Sequence, residues 1–421
     1  MTATPDRDSR SNRERPDGAT FGILTLRDPR LPFSRLATAF MVSSVGDPFS
    51  LAISLIIVFQ ALHTPFAVAA AYGARAVAAL LVGTFAGSLT DRVDRRKLLV
   101  LLDSGRFLLL LLMPFAIGAS PATVFPALFL LGGAEALAQP ARLAGAVVLA
   151  PAGAVGRANS LLMVAYSVAQ AIGFGLAGVA ITGLRQPGFV YWIDSATFLC
   201  SALLVLSLPN LGGGVITSRF ELKALQQITR VSLRPVLLAT GGANLMVGVG
   251  TASMLPLAYT LVTRDPAAVY TWLQVALIVG LIGGSVALSR GEVRRPALAM
   301  ASGMALFGIG ALGIAASLWN PVTLVAFALT GVANAVYSVR GRTALMQRAP
   351  DDEQGSVMAT RYSVAQVSQL IGLGLGALVT AIATPRGAFV LVGVGMLGFA
   401  GLLTLALRRR RREGGVVAPE P

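Results

Sequence analysis

Twelve apolar runs, each about as long as a bilayer-crossing helix, recur between Leu36 and Leu407. They fall at 36–62, 65–89, 98–119, 122–143, 158–183, 187–208, 235–261, 267–289, 297–317, 321–344, 357–383 and 387–407. A hydrocarbon core demands ~20 apolar residues of a helix. In lipid, every backbone polar group must find its partner inside the protein. A closed barrel meets that demand too, but it needs short alternating strands, and these runs are long and unbroken. The expected fold class is therefore an all-α membrane protein with twelve transmembrane helices. Only 13% of the residues are charged, against about 25% in soluble chains.

Charge placement sets the topology. With the N-terminus inside, the inner segments hold 29 of the 34 Lys and Arg, and the outer loops hold only Arg185, Arg264 and Arg386. Arg75 and Arg106 lie within helices. The net charge of +15 is thus a positive-inside bias rather than a nucleic-acid footprint. Trp192, Trp272 and Trp319 fall near the expected outer interface, where aromatic belts sit. Residues 1–35 are polar and Arg-rich and read as a cytoplasmic tail, not a signal peptide. The expected location is the cell's inner (plasma) membrane, with both termini cytoplasmic.

Two internal repeats divide the chain. Residues 166–170 and 362–366 both read YSVAQ, while 132–136 reads GGAEA and 331–335 reads GVANA. Both link helix n to helix n + 6. The expected organisation is a six-helix bundle over 36–208, a cytoplasmic linker over 209–234, a second bundle over 235–407 and an Arg-rich tail over 408–421. The linker stretch from Arg219 to Arg230 reads as linker or a short surface helix. Bundles repeated about an axis along the membrane normal describe one large transporter class, with substrate bound between the halves.

The loop after helix 2 reads Gly87-Ser88-Leu89-Thr90-Asp91-Arg92-Val93-Asp94-Arg95-Arg96-Lys97. It resembles the loop 2–3 signature of the major facilitator superfamily, with Asp94 where a second glycine is usual. Gly46-Asp47, Glu135 followed by Pro140 and Arg142, and Ala158-Asn159-Ser160 are similar to the branch containing bacterial enterobactin and macrolide efflux proteins. The resemblance spans roughly residues 36 to 408. It implies a major facilitator fold, a small-molecule substrate, a monomer, and a cytoplasmic latch built from Gly87, Asp91, Arg92, Arg95 and Arg96. Arg142 is the candidate partner of Asp91, which also suits a helix N-terminus. Arg95, Arg96 and Lys97 serve topology equally well. Drug–proton antiporters often carry a Gly-Pro-rich stretch in helix 5; here Gly173, Gly175 and Gly178 are present without the proline, as packing glycines would be.

Charges within the apolar runs are functional candidates, because each costs ~2.5–3.5 kcal/mol at a helix centre. Asp47 lies ~17 Å from the inner end of helix 1 and Arg75 ~21 Å from that of helix 2, at 1.5 Å per residue. Similar depth on neighbouring helices allows them to pair, so that proton binding to Asp47 switches with the position of Arg75. Glu135, mid-helix 4, has no evident basic partner at its depth. A lone buried carboxyl binds a proton readily, which suits a proton carrier. Asp194 is expected near the outer end of helix 6, within reach of water, and Asp103 with Arg106 as an i, i+3 pair. The second half offers Asn244, Gln274, Asn334 and Gln369 as candidates for the substrate cavity.

Other chemistry is poorly served. No P-loop is visible. The single His63 and single Cys200 supply neither a metal cluster nor a Cys/His or Ser/His/Asp set, so an enzyme, a metal and a cofactor are not expected. The reading is a secondary transporter exporting an amphipathic small molecule, such as a drug, siderophore or secondary metabolite, against protons. The alternatives are an importer or facilitator of a nutrient, and a non-transporting receptor.

Overall fold

The computed structural model describes residues 31–150, 155–183, 188–212, 233–288, 294–317, 321–349 and 354–414, with the side chains of 84–92 and of some residues near helix ends outside that description. Twelve α-helices make up the described chain: α1 Pro32–Leu62, α2 Pro65–Arg92, α3 Arg95–Ala119, α4 Val124–Leu149, α5 Val155–Gly183, α6 Gly188–Leu206, α7 Arg234–Leu261, α8 Pro266–Leu288, α9 Pro296–Ala316, α10 Pro321–Met346, α11 Gln354–Ile382 and α12 Pro385–Gly414. One 3-10 turn, Pro121–Thr123, precedes α4. Eleven helices are long and apolar enough to cross a bilayer, and α5 contributes the apolar stretch Val164–Ala180.

Helix starts are written in the sequence. Six helices (α1, α2, α8, α9, α10 and α12) begin on a proline, whose missing N–H costs nothing at a position without an intrahelical acceptor. His63 closes α1 in the left-handed region at φ 52° and donates its N–H to the Phe59 carbonyl. The chain then turns directly into α2. Short connections of this kind make successive helices antiparallel. One face of the molecule therefore carries the start of α1 and the end of α12, called here the terminal face; the opposite is the far face.

One helix end differs from the expected boundaries. Helix α12 continues to Gly414, so Arg408–Arg412 extend the last helix instead of starting a separate tail. The possible surface helix at 219–230 lies outside the described residues.

The two halves repeat each other in packing. In the first, α1 packs on α5 and α6, α2 on α4, and α3 on α6; in the second, α7 packs on α11 and α12, α8 on α10, and α9 on α12. The halves meet through α5 with α8 and α2 with α11, again equivalent pairs. Lipid supplies no hydrophobic drive between helices, so close approach of backbones does the work. The GGAEA/GVANA repeat encodes that approach. A Cβ on Gly132 would collide with the carbonyl oxygen of Arg75 on α2, and one on Gly331 with that of Leu277 on α8. Outward, Leu112, Phe115, Ile309 and Leu402 are exposed, as a lipid-facing surface requires.

At the far face the halves are stitched together. Tyr72 and Tyr270 share a hydrogen bond of 2.9 Å, and Gln274 Nε2 donates to Tyr270 Oη at 3.0 Å and Tyr72 Oη at 3.4 Å. Gln60 Nε2 donates to Tyr259 Oη at 3.0 Å, and Phe59 meets the Tyr259 ring edge-on at 4.9 Å. A Cβ on Gly178 would overlap the Thr271 hydroxyl, so α5 and α8 touch at the same end.

Candidate functional site

A cavity of about 370 Å³ lies between the halves, walled by α1, α2 and α5 on one side and α11 on the other. Asp47 and Arg75 meet on its wall: an Arg75 Nη2 lies 3.4 Å from Asp47 Oδ1. The side chains keep 9% and 21% of their exposure, so the pair is screened from lipid yet open to the cavity. The depth count from the sequence anticipated this meeting. Pro48 follows Asp47 inside α1, and a mid-helix proline removes one i→i−4 hydrogen bond there.

Polar lining comes largely from the YSVAQ repeat. Tyr166 and Gln170, from the first copy, line the cavity with Gln366 from the second; Tyr72 and Gln369 complete the polar wall. Tyr166 is held by stacking on Phe40, with centroids 5.5 Å apart and planes at 15°. The sequence pointed to these residues through the repeat itself, but nothing in the pattern said which of five positions faces inward.

The four polar candidates of the second half separate. Gln369 lines the cavity. Gln274 belongs to the tyrosine cluster at the far face and also borders a smaller void of about 70 Å³ inside the second half, where Asn334 lies. Asn244 donates to the carbonyl of Thr240, one turn back on its own helix. Gln274, Asn244 and Asn334 therefore do not line the central cavity, contrary to expectation. Depth along a helix can be counted from sequence, but azimuth on a helix with little amphipathic contrast cannot.

Glu135 requires a larger correction. It is not alone: its Oε2 accepts from Arg106 at 2.9 Å and from Arg142 at 3.2 Å. Arg142 reaches Asp103 Oδ1 at 3.3 Å, Arg106 lies 3.8 Å from the same oxygen, and Ser201 donates to Asp103 Oδ2 at 2.7 Å. Two carboxylates and two guanidiniums thus alternate around a closed square between α3 and α4. Arg106 lies over the Phe198 ring at 5.1 Å and Arg142 over Phe40 at 5.0 Å. The physical reason is the tilt of helical side chains toward the N-terminus. Arg142 sits two turns beyond Glu135 and leans back to it, whereas Arg106 already shares its depth by residue count, each lying eight residues from the inner end of its expected span. Arg142 is consequently engaged by Glu135 and Asp103; the side chains of Gly87–Arg92, including Asp91, lie outside the described residues.

Asp194 is not near water. It is 0% exposed; its Oδ1 accepts from Thr197 at 3.1 Å, and Oδ2 has no hydrogen-bond partner among the described residues. Gly46 of α1 packs so closely on it that any Cβ there would overlap the carboxyl. At the terminal face, Arg95 Nη1 donates to the Leu211 carbonyl at 3.3 Å and Arg96 to that of Leu206, tying the start of α3 to the chain leaving α6. Asp94 caps α3, accepting from the N–H groups of Arg96 and Lys97.

Two related six-helix bundles in a membrane, enclosing a charged and glutamine-lined cavity where they meet, define a solute transporter of the alternating-bundle kind. The family model described as Major Facilitator Superfamily matches residues 35–298 and 267–421, and the chain belongs to that superfamily. The nucleoside transporter NupG, solved as a point mutant, superposes with a TM-score of 0.71 at 12% identity, covering 90% of this chain and 100% of that one. A POT family transporter in complex with a thioalcohol-conjugated peptide gives 0.74 at 10%, covering 94% and 99%. The human organic anion transporter MFSD10 gives 0.64 at 14%, covering 89% and 99%. At such identities the likeness is one of fold. The comparison with curated proteins finds no match.

Proposed function

We propose that the protein is a proton-coupled exporter of an amphipathic small molecule, akin to the enterobactin and macrolide efflux branch. The Asp47–Arg75 pair on the wall of the inter-half cavity carries this reading. Its volume of about 370 Å³ falls within the range of ligand pockets, ~300–1,000 Å³. Asp47 binds the proton when substrate or a change of conformation draws Arg75 away, and releases it when the arginine returns. Gln170, Gln366 and Gln369 offer donors and acceptors to a polar end of the substrate, while Leu51, Ala76, Ala79 and Leu373 accept its apolar body.

Glu135 acts in this reading as a brace that fixes α3 against α4, and the loop containing Gly87, Asp91 and Arg92 as the latch of the cytoplasmic face. The protein works as a monomer in the plasma membrane with both termini inside. The test is proton flux from inverted vesicles on addition of candidate lipophilic cations and neutral amphiphiles. Substrate-dependent proton release by wild type and its loss in Asp47→Asn are expected. Release unchanged in Asp47→Asn would remove Asp47 from coupling. Substrate accumulation without proton movement would replace antiport by a facilitator or another coupling ion.

A further inference from the structure

A second cavity, of about 550 Å³, opens at the terminal face of the second half, where the starts of α7 and α9 meet the ends of α10 and α12. Its polar wall is Arg294, Arg295, Arg348, Arg408, Gln347 and Thr404. Four arginines from three parts of the chain thus converge on one space, and no carboxylate lines it among the described residues.

The pseudo-symmetric place in the first half explains what is unusual here. There the chain leaving α6 folds back and fills the cleft: Leu208 and Leu211 are 2% and 0% exposed and pack with Leu36 and Leu99. The basic residues beside it are used, Arg95 and Arg96 on the Leu211 and Leu206 carbonyls and Arg35 on that of Ser207. In the second half α12 runs straight on past Leu407 as helix, and none of the described residues fills the cleft.

The helix start differs as well. Asp94 caps α3 with its own carboxylate, whereas the equivalent cap of α9 is Arg295, which makes no side-chain hydrogen bond to the first turn. An acceptor present in one half is therefore replaced in the other by a cation. An anion in the cavity would meet the guanidiniums and the first-turn N–H groups of α9, which the Arg295 side chain does not cap, together.

From this we infer that the cavity binds a phosphate group, carried either by an anionic lipid headgroup or by a soluble phosphate. The same turns of α7 and α12 expose Leu238 and Leu405 to lipid, so an acyl chain has an apolar surface beside the mouth. The cavity lies apart from the one between the halves.

The experiment measures binding to the purified full-length protein in neutral detergent. The probes are dioctanoyl phosphatidylglycerol, inorganic phosphate, and dioctanoyl phosphatidylcholine as the chain control. Wild type is expected to bind the first or the second more tightly than the control. The triple variant Arg294→Gln/Arg295→Gln/Arg408→Gln should weaken that binding at least about tenfold. Arg264→Gln/Arg386→Gln, at the far face, should leave it unchanged. Binding of phosphatidylglycerol alone assigns the site to lipid; equal response to inorganic phosphate assigns it to a soluble anion. Absence of binding by both, or equal affinity in the triple variant, overturns the inference. Should the triple variant not fold, Arg295→Asp copies the cap of α3 and should keep the fold while losing the ligand; full binding by that variant overturns the inference too.

Discussion

Gln170 and Gln366, the last residues of the two YSVAQ segments, line one cavity from opposite halves of the molecule. Their tyrosine partners diverge: Tyr166 lines the same cavity, and Tyr362 is 54% exposed. A repeat inherited by both bundles thus contributes a symmetric pair of amides and an asymmetric pair of phenols.

Replacing either glutamine by leucine removes a donor and an acceptor from the cavity without closing it. A neutral hydrogen bond is worth ~1 kcal/mol net, so KM for a substrate with a polar end should rise roughly fivefold for Gln170→Leu or Gln366→Leu. Transport kinetics in vesicles check this. An unchanged KM in both variants would place the polar contacts elsewhere.

Asp47 and Arg75 form a double-mutant cycle. Asp47→Asn leaves a guanidinium unpaired beside the cavity and Arg75→Gln leaves a carboxylate. Because the pair retains some exposure, each single change should cost ~1–3 kcal/mol, below the value for a fully buried pair. The double variant should cost less than the sum, giving an interaction energy of ~1–2 kcal/mol by thermal unfolding in detergent. Strict additivity would show that the contact contributes nothing.

The square of Asp103, Arg106, Glu135 and Arg142 predicts that Glu135→Gln is a stability variant. It strips a carboxylate from two guanidiniums, and a broken buried pair costs ~3–5 kcal/mol; with Glu135 18% exposed, about 3 kcal/mol is expected. Asp194→Asn, an isosteric change with no salt bridge to lose among the described residues, should stay within ~1 kcal/mol. Melting of Glu135→Gln at the wild-type temperature would show that the square does not brace the bundle.

Gly132→Ala and Gly331→Ala should each destabilise by ~1–3 kcal/mol, because a methyl forces α4 from α2 or α10 from α8. Gly83→Ala, with open space around its added carbon, serves as the control. Equal melting temperatures for all three would mean that the helix pairs shift at no cost.

The far-face cluster predicts a change of conformation rather than stability. Tyr72→Phe deletes the hydroxyl shared with Tyr270 and Gln274. Losing ~1 kcal/mol that holds the halves together moves their equilibrium about fivefold toward separated far ends. Spin labels at Leu62 and Thr263, in a Cys200→Ser background, should report a longer distance. An unaltered distribution would exclude the cluster as a closure.

Length and hydropathy were enough to state twelve membrane helices, because the bilayer imposes helix length and internal hydrogen bonding on any chain within it, and the YSVAQ and GGAEA/GVANA segments stated the two-fold repeat. They also located Asp47 and Arg75 at one depth, since rise per residue is constant along a helix. Tertiary structure alone decided which way the side chains turn. Nearly all faces of these helices are apolar, so azimuth leaves little trace in the sequence: Asn334 and Asn244 do not line the cavity that Gln170 and Gln366 share. It also decided partnership. Glu135 stands between Arg106, which lies at its own depth on the neighbouring helix, and Arg142, whose long side chain leans back about two turns to reach it.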